Sequence, residues 1–211
     1  SRGLGDVYKR QTCFDAILVG GAALAPELLR QATDAGARLV RTYGASETSG
    51  GCVYDGVPLP GARVEIEDAT GRIWLGGDTI ATGYLNKPHH VAWQRPGWFR
   101  TDDHGHWDTT HTPPRLHVDG RLDDAISSGG LTIFPHVVEN VLATHPAIAQ
   151  AVVLGRPDER LGEHVAAVIV PTTAPQATPD FLPTLAELRT WVMDAGLPAT
   201  AAPVSYTHLR A

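Results

Sequence analysis

Two short apolar runs that both stop at glycine constrain this chain more than any other feature. Phe14-Asp-Ala-Ile-Leu-Val19 ends at Gly20-Gly21, and Leu39-Val-Arg-Thr-Tyr43 ends at Gly44. Mostly apolar runs of this length suit buried parallel strands. Between them, Pro26 stands at a favoured first-turn position, Leu28, Leu29, Ala32 and Ala35 form an inner stripe, and Gly36 ends the segment. Strand, helix, strand is the α/β crossover unit. Ligands in such sheets sit beyond the carboxyl ends of the strands, so the loops Gly20-Gly21-Ala22 and Tyr43–Glu47 both occupy candidate positions.

The second loop is dense in chemistry. Within Thr42–Gly51 (TYGASETSGG), Tyr43 offers a flat face to a planar ring and Ser46 can donate to an anionic oxygen. Glu47 can hold a hard cation, which prefers oxygen ligands. Gly44, Gly50 and Gly51 let backbone N–H groups approach a ligand closely. Ring, phosphate and metal-binding groups this close together suit a nucleotide, although the same residues also make an ordinary turn.

The remaining composition narrows the class of partner. A net charge of -6 over 211 residues argues against an electrostatic nucleic-acid binder, which would show a basic face. No apolar run approaches a membrane span. Cys13 and Cys52 are too few for a disulfide framework, which makes a reducing cytoplasm the expected compartment. Both ends differ from their surroundings. Ser1–Gln11 and Val204–Ala211 resemble translated adaptor sequence and are set aside as non-native.

From Pro58 the texture becomes β-rich. Arg63–Glu67 alternates polar and apolar, Arg72–Leu75 and Thr79–Leu85 follow between Gly pairs, and Trp98-Phe99 and His106-Trp107 continue the pattern. The tryptophans here are expected in core or lid. Asp119-Gly120, between Arg115–Val118 and Arg121–Ile126, is a strong hairpin signal. His104, His106, His111 and His117 lie in this hairpin and Pro-rich loop with no Cys nearby, and are not read as a metal centre. Beyond Ser127–Gly130, Phe134–His145 and Leu185–Ala195 are predicted helices, Ile148–Leu154 and Val165–Val170 strands, and Ala174–Pro183 a loop. No internal repeat is evident.

These motifs, in this order, resemble the adenylate-forming (AMP-binding) superfamily of acyl- and aryl-CoA synthetases. Gly20-Gly21-Ala22-Ala23-Leu24 resembles the adenine-side loop. Tyr43-Gly44-Ala45-Ser46-Glu47 resembles Tyr-Gly-x-Thr-Glu, with Ser for Thr. Gly71–Leu85 resembles the Gly-Glu-Leu…Gly-Tyr segment, and Trp98–Asp103 resembles Tyr-Arg-Thr-Gly-Asp, with Asp102 for Gly. Gly120-Arg121-Leu122-Asp123-Asp124 resembles the hinge motif, Ser128-Gly129-Gly130 the loop after it, and Val153–Glu163 the C-terminal Gly-x-Pro-Asp…Gly-Glu. Within the family, Ser46–Pro58 is most similar to the actinobacterial o-succinylbenzoate–CoA ligase branch, which serves menaquinone biosynthesis. Fatty-acid or aryl-acid CoA ligases, and adenylation modules serving a carrier protein, are the alternatives, together with a non-catalytic nucleotide-binding remnant.

The resemblance implies an α/β fold: the C-terminal part of the adenylate-forming large domain over 12–119, a hinge over 120–124, and a small α+β C-terminal domain over 125–203. It implies ATP, Mg²⁺ and coenzyme A as ligands, with a small carboxylic acid. The resemblance implies that a carboxylate attacks the α-phosphate of ATP, giving acyl-AMP and releasing pyrophosphate, and that the coenzyme A thiol then attacks the acyl-AMP, giving the thioester and releasing AMP. Gly20, Gly21, Ala22, Tyr43 and Gly44 would surround the adenine, Ser46 would touch the α-phosphate, and Glu47 would help hold Mg²⁺. Asp103 would accept hydrogen bonds from both ribose hydroxyls, a task its two acceptor oxygens suit, and Arg121 would meet ribose or phosphate. Asp123 would be the pivot between half-reactions. Ser128, Gly129 and Gly130 would line the thiol's approach, with Ser127 where the family often carries Lys. The family uses no structural metal at the histidines. Its phosphate loop and its catalytic Lys are expected before Thr12 and after Pro203, so the chain is expected to be an internal piece with negligible adenylation by itself.

Overall fold

A computed structural model describes residues 14–22, 24, 26–172 and 182–209, and it divides into two compact units at Leu122/Asp123. The stretch 1–11 and most of the loop expected at Ala174–Pro183 lie outside the described residues. Among the described residues the fold is mixed α/β, with three sheets and few helices. Among the described residues no helix is long and apolar enough to cross a membrane.

The first unit opens with the expected crossover. β1 (Ile17–Val19) pairs in parallel with β2 (Leu39–Ala45) through α1 (Pro26–Asp34). Gly36 takes a left-handed φ of 79° and closes the helix, and the Ala37 amide reaches back to the Ala32 carbonyl at 2.9 Å. β3 (Gly50–Tyr54) and β4 (Val57–Pro58) complete a sheet of order β1-β2-β3-β4. The burial expected for the first apolar run and for the α1 stripe is not observed among the described residues: Phe14 and Leu18 of the run and Leu28 of the helix are exposed. Among the described residues β1 lies at the end of its sheet, and only Ala32 of the α1 stripe is buried.

A second sheet of order β5-β6-β7-β8 follows, from β5 (Ala62–Ile66), β6 (Arg72–Gly77), β7 (Trp98–Asp108) and β8 (Arg115–Arg121). The alternation of Arg63–Glu67 is realised in β5. Trp98-Phe99 and His106-Trp107 belong to one long strand rather than two. Thr79–Leu85 is loop, with a single bridge from Tyr84 to Lys87. Cys52, Val53, Ile73, Leu75 and Leu116 form the core, with Tyr43, Trp107 and Val118 packed against it.

The hairpin expected at Asp119-Gly120 does not form. β8 runs straight through these residues, and the β7–β8 register slips between His104↔Gly120 and Gly105↔Val118. Asp119 is the extra residue of a β-bulge, and Gly120 supplies the backbone it needs at φ 143°.

The second unit is a mostly antiparallel sheet with two helices packed on it. β9 (Ile126–Ser128) and β10 (Leu131–Ile133) form a hairpin whose two turn residues, Gly129 and Gly130, have φ of 59° and 80°. A two-residue hairpin turn with both φ positive is the type I′ geometry, which favours glycine. α2 (Pro135–Leu142), β11 (Ile148–Asp158), β12 (Gly162–Pro171) and α3 (Leu185–Asp194) follow. Thr184 caps α3 by accepting from the Glu187 amide at 3.2 Å, while Glu187 accepts from the Thr184 amide at 2.7 Å. Val138, Leu142, Val165, Ile169, Leu188 and Val192 meet in a core from which water is excluded. Each such side chain contributes about 1.5–3 kcal/mol of apolar burial.

Residues 204–211, set aside as foreign, are partly built into this unit. β13 (Ser205–His208) adds to β12 in parallel, from Ala166↔Ser205 to Ile169↔His208. The Tyr206 hydroxyl donates to the Pro183 carbonyl at 2.6 Å. The β12 edge presents unpaired backbone groups that a Tyr/Thr-bearing segment can satisfy.

Candidate nucleotide site

The first unit assembles most of the candidate residues at the carboxyl ends of β1 and β2. The parallel register Val19↔Arg41 sets Gly20 beside Thr42. A Cβ on Gly20 would lie 2.2 Å from the Thr42 hydroxyl, and one on Gly44 would lie 2.2 Å from the Gly50 carbonyl oxygen. Both glycines are thus demanded by the protein's own packing. Gly21 differs: its φ is 83° and the space around it is open. Gly21 and Ala22 are exposed.

After Tyr43 the chain makes a 3-10 turn, Ser46–Thr48, and leaves it through Ser49 at φ 58°. Thr48, not one of the candidate residues, closes this turn. Its buried hydroxyl accepts from the Ala45 amide at 2.9 Å and lies 2.6 Å from the Gly50 carbonyl. A threonine just before a Ser-Gly-Gly exit is the signal for such a hydroxyl turn. Replacing Thr48 by alanine takes one buried hydroxyl away from both the Ala45 amide and the Gly50 carbonyl. We expect a loss of about 1–3 kcal/mol, read by chemical denaturation, and recovery in Thr48→Ser.

The closed turn leaves Ser46 exposed and fixes Glu47 half-buried. Tyr84 donates its hydroxyl to Glu47 Oε1 at 2.6 Å. The Glu47 carbonyl accepts from the Ala81 amide at 2.8 Å, and the Ser49 hydroxyl donates to the Thr79 carbonyl at 3.1 Å. Burial, with the Glu47 carboxylate alongside, pushes the Tyr84 phenol up to about 12. Glu47 is therefore a held carboxylate, and a hard oxygen donor of this kind fits Mg²⁺, which takes one or two carboxylates and completes its shell with phosphate and water.

Sixty positions further along, β7 carries Asp103 to Tyr43. The Tyr43 hydroxyl donates to Asp103 Oδ2 at 2.6 Å. Burial, then the adjacent Asp103 charge, raises the Tyr43 phenol far above its ordinary value and keeps it protonated. The Asp103 amide donates to the Thr101 hydroxyl at 3.0 Å, and buried Thr101 in turn donates to the Ile73 carbonyl at 2.8 Å. Arg121 faces Asp103 across the β7–β8 register. Asp102, where the family carries Gly, is exposed and paired with Arg72 at 2.6 Å. Oδ2 of Asp103 already serves Tyr43, and a carboxylate oxygen with two lone pairs can accept a second donor.

In the second unit, Asp123 is an exposed bend residue just past the division between the units. Ser128 departs from expectation. Its alternation with exposed Ser127 sends it inward with Ile126, and its hydroxyl is fully buried with no hydrogen-bond partner. The Ser128 side chain is thus turned into the unit, while Gly129 and Gly130 are exposed at the tip. Ser127 donates its amide to Glu163 at 2.9 Å.

Comparison with known proteins agrees with this geometry. The AMP-binding enzyme family matches residues 6–85, and the AMP-binding enzyme C-terminal domain matches residues 137–209. A probable 2-succinylbenzoate–CoA ligase of Mycobacterium tuberculosis is 47% identical over 191 residues, covering 90% of this chain and 48% of that protein. The o-succinylbenzoate–CoA synthetase of Bacillus subtilis, solved with an acyl-adenylate intermediate, is 26% identical and superposes with a TM-score of 0.81, over 98% of this chain and 45% of that one. The same enzyme solved with ATP and magnesium ion gives a TM-score of 0.76 at 26% identity, over 98% of this chain and 46% of that one. The chain thus spans about half the length of these relatives. Two family matches in the expected order, on an architecture shared with solved acyl-adenylate enzymes, place this chain in the AMP-binding enzyme family.

Proposed function

We propose that this chain is part of an ATP-dependent acid–CoA ligase whose acid is o-succinylbenzoate. The observation that carries the reading is the Tyr43–Asp103 hydrogen bond. It brings to one point two residues, distant in sequence, that the family resemblance assigns to the two halves of an adenosine. The 47% identity to the M. tuberculosis ligase supports the choice of acid.

The residues divide the work as follows. Gly20, Gly21, Ala22, Tyr43 and Gly44 hold the adenine, and Asp103 with Arg121 holds the ribose. Ser46 donates to the α-phosphate as the acid's carboxylate attacks it, so positioning and charge neutralisation carry the rate. Mg²⁺ held by Glu47 would offset charge on the phosphate oxygens. We assign Asp123 as the pivot between half-reactions and the exposed backbone of Gly129 and Gly130 to thioester formation. A reducing cytoplasm suits the free, buried Cys52.

The test uses the full-length protein that carries this chain, supplied with ATP, coenzyme A and one acid at a time. AMP release and thioester formation should be fastest with o-succinylbenzoate. Preference for a fatty or arylacetic acid would overturn the choice of substrate. Transfer to a carrier protein in place of coenzyme A would favour an adenylation module, and no AMP with any acid would sink the ligase reading.

A further inference from the structure

The bulge in β8 has a chemical result on the outward face of the second sheet. β7 is regular here, so His104 and His106 point to the same side. His117 stands directly opposite His106, with ring centroids 4.9 Å apart. The extra residue of the bulge, Asp119, swings its carboxylate among them. His104 Nδ1 lies 2.8 Å from Oδ2 and His117 Nδ1 lies 3.0 Å from Oδ1. His106 Nδ1 lies 3.0 Å from Oδ1 and 3.1 Å from Oδ2. Three imidazoles thus converge on one partly buried carboxylate, and donor atoms of His106, His117 and Asp119 lie within 4.8 Å of one another. His111, grouped with them in the sequence, turns away to Asp108 at 2.9 Å.

From this convergence we propose a binding site for a divalent first-row transition metal, of the zinc class, formed by His106, His117 and Asp119 with His104 completing the shell. Imidazole and carboxylate donors suit such an ion. With metal–ligand bonds of about 2.0–2.1 Å, tetrahedral geometry sets neighbouring donors about 3.3 Å apart. His106 Nδ1 and His117 Nδ1 each lie 3.0 Å from the same oxygen, Oδ1, so these two nitrogen–oxygen distances need to open by only a few tenths of an ångström, and His104, now on Oδ2, turns toward the ion to fill the fourth position. Gly71 makes the fourth position possible, because a Cβ there would fall 2.2 Å from the His104 ring. The ion would tie β7 to β8 beside Asp103 without touching the nucleotide residues.

The probe is Zn²⁺ added to chelator-treated protein and followed by calorimetry, with Co²⁺ absorption as the report of coordination geometry. One saturable site should appear, with a tetrahedral Co²⁺ spectrum. Exposed His106 and His117 can be replaced without disturbing the core. The double variant His106→Ala/His117→Ala should weaken Zn²⁺ binding by at least about tenfold per ligand, with unchanged circular dichroism. His111→Ala should bind as the parent does. Absence of saturable Zn²⁺ uptake, or equal uptake by parent and double variant, overturns the site.

Discussion

Glu47→Ala in the full-length protein should lower the adenylation rate by about two to three orders of magnitude, the usual result of removing a charge-stabilising group from a transition state. The variant removes the carboxylate placed for Mg²⁺ and also leaves the Tyr84 hydroxyl without its acceptor. Glu47→Gln separates these effects. It keeps an acceptor for Tyr84 and loses the charge, so it should fold normally and still adenylate slowly, with a higher Mg²⁺ requirement. Asp103→Ala should be comparably slow. It also removes the acceptor of the half-buried Tyr43 hydroxyl, at a cost of about 1 kcal/mol in stability. Tyr43→Phe added to Asp103→Ala should restore stability and leave adenylation impaired, a non-additivity expected of contacting residues. Near-parental AMP release by both Glu47→Ala and Asp103→Ala would remove the site assignment.

The second large effect is structural. Leu188→Ala opens a cavity where α3 meets the sheet of the second unit, at a fully buried position. Such truncations cost about 2–5 kcal/mol, against total domain stabilities of about 5–15 kcal/mol. Urea denaturation should show the midpoint falling steeply, while Leu188→Met, close in volume, should cost less than about 1.5 kcal/mol. Equal midpoints for the two variants would mean that Leu188 is not the keystone its burial indicates.

Strands, helices and loops of this chain were legible where one local rule acted alone. The glycine-terminated runs gave β1, β2 and their crossover, and alternation gave β5. Asp119-Gly120 misled because a hairpin turn and a β-bulge ask for the same residues, and only the pairing partner decides between them. Here β7 is long enough to hold β8 on both sides of the glycine. The apolar character of Leu18 and Leu28 did not predict burial, because burial depends on what covers a face. The candidate site was legible as residue types, Tyr43, Glu47 and Asp103. Its fastening was not, since Thr48 and Tyr84 act through contacts that only the folded chain creates. The inward turn of Ser128 was not legible either: a motif gives an address along the chain, and strand parity decides which side the hydroxyl takes.

The clasp between the Glu47 turn and the loop after β6 bears on how relatives of this chain can diverge. Glu47 and Ser49 grip Thr79, Ala81 and Tyr84 at three separate points, two of them on the main chain of that loop. A residue gained or lost in either segment would throw these points out of step together. Length changes are therefore tolerated in this region only as matched pairs, whereas side chains that do not touch the clasp remain open to substitution.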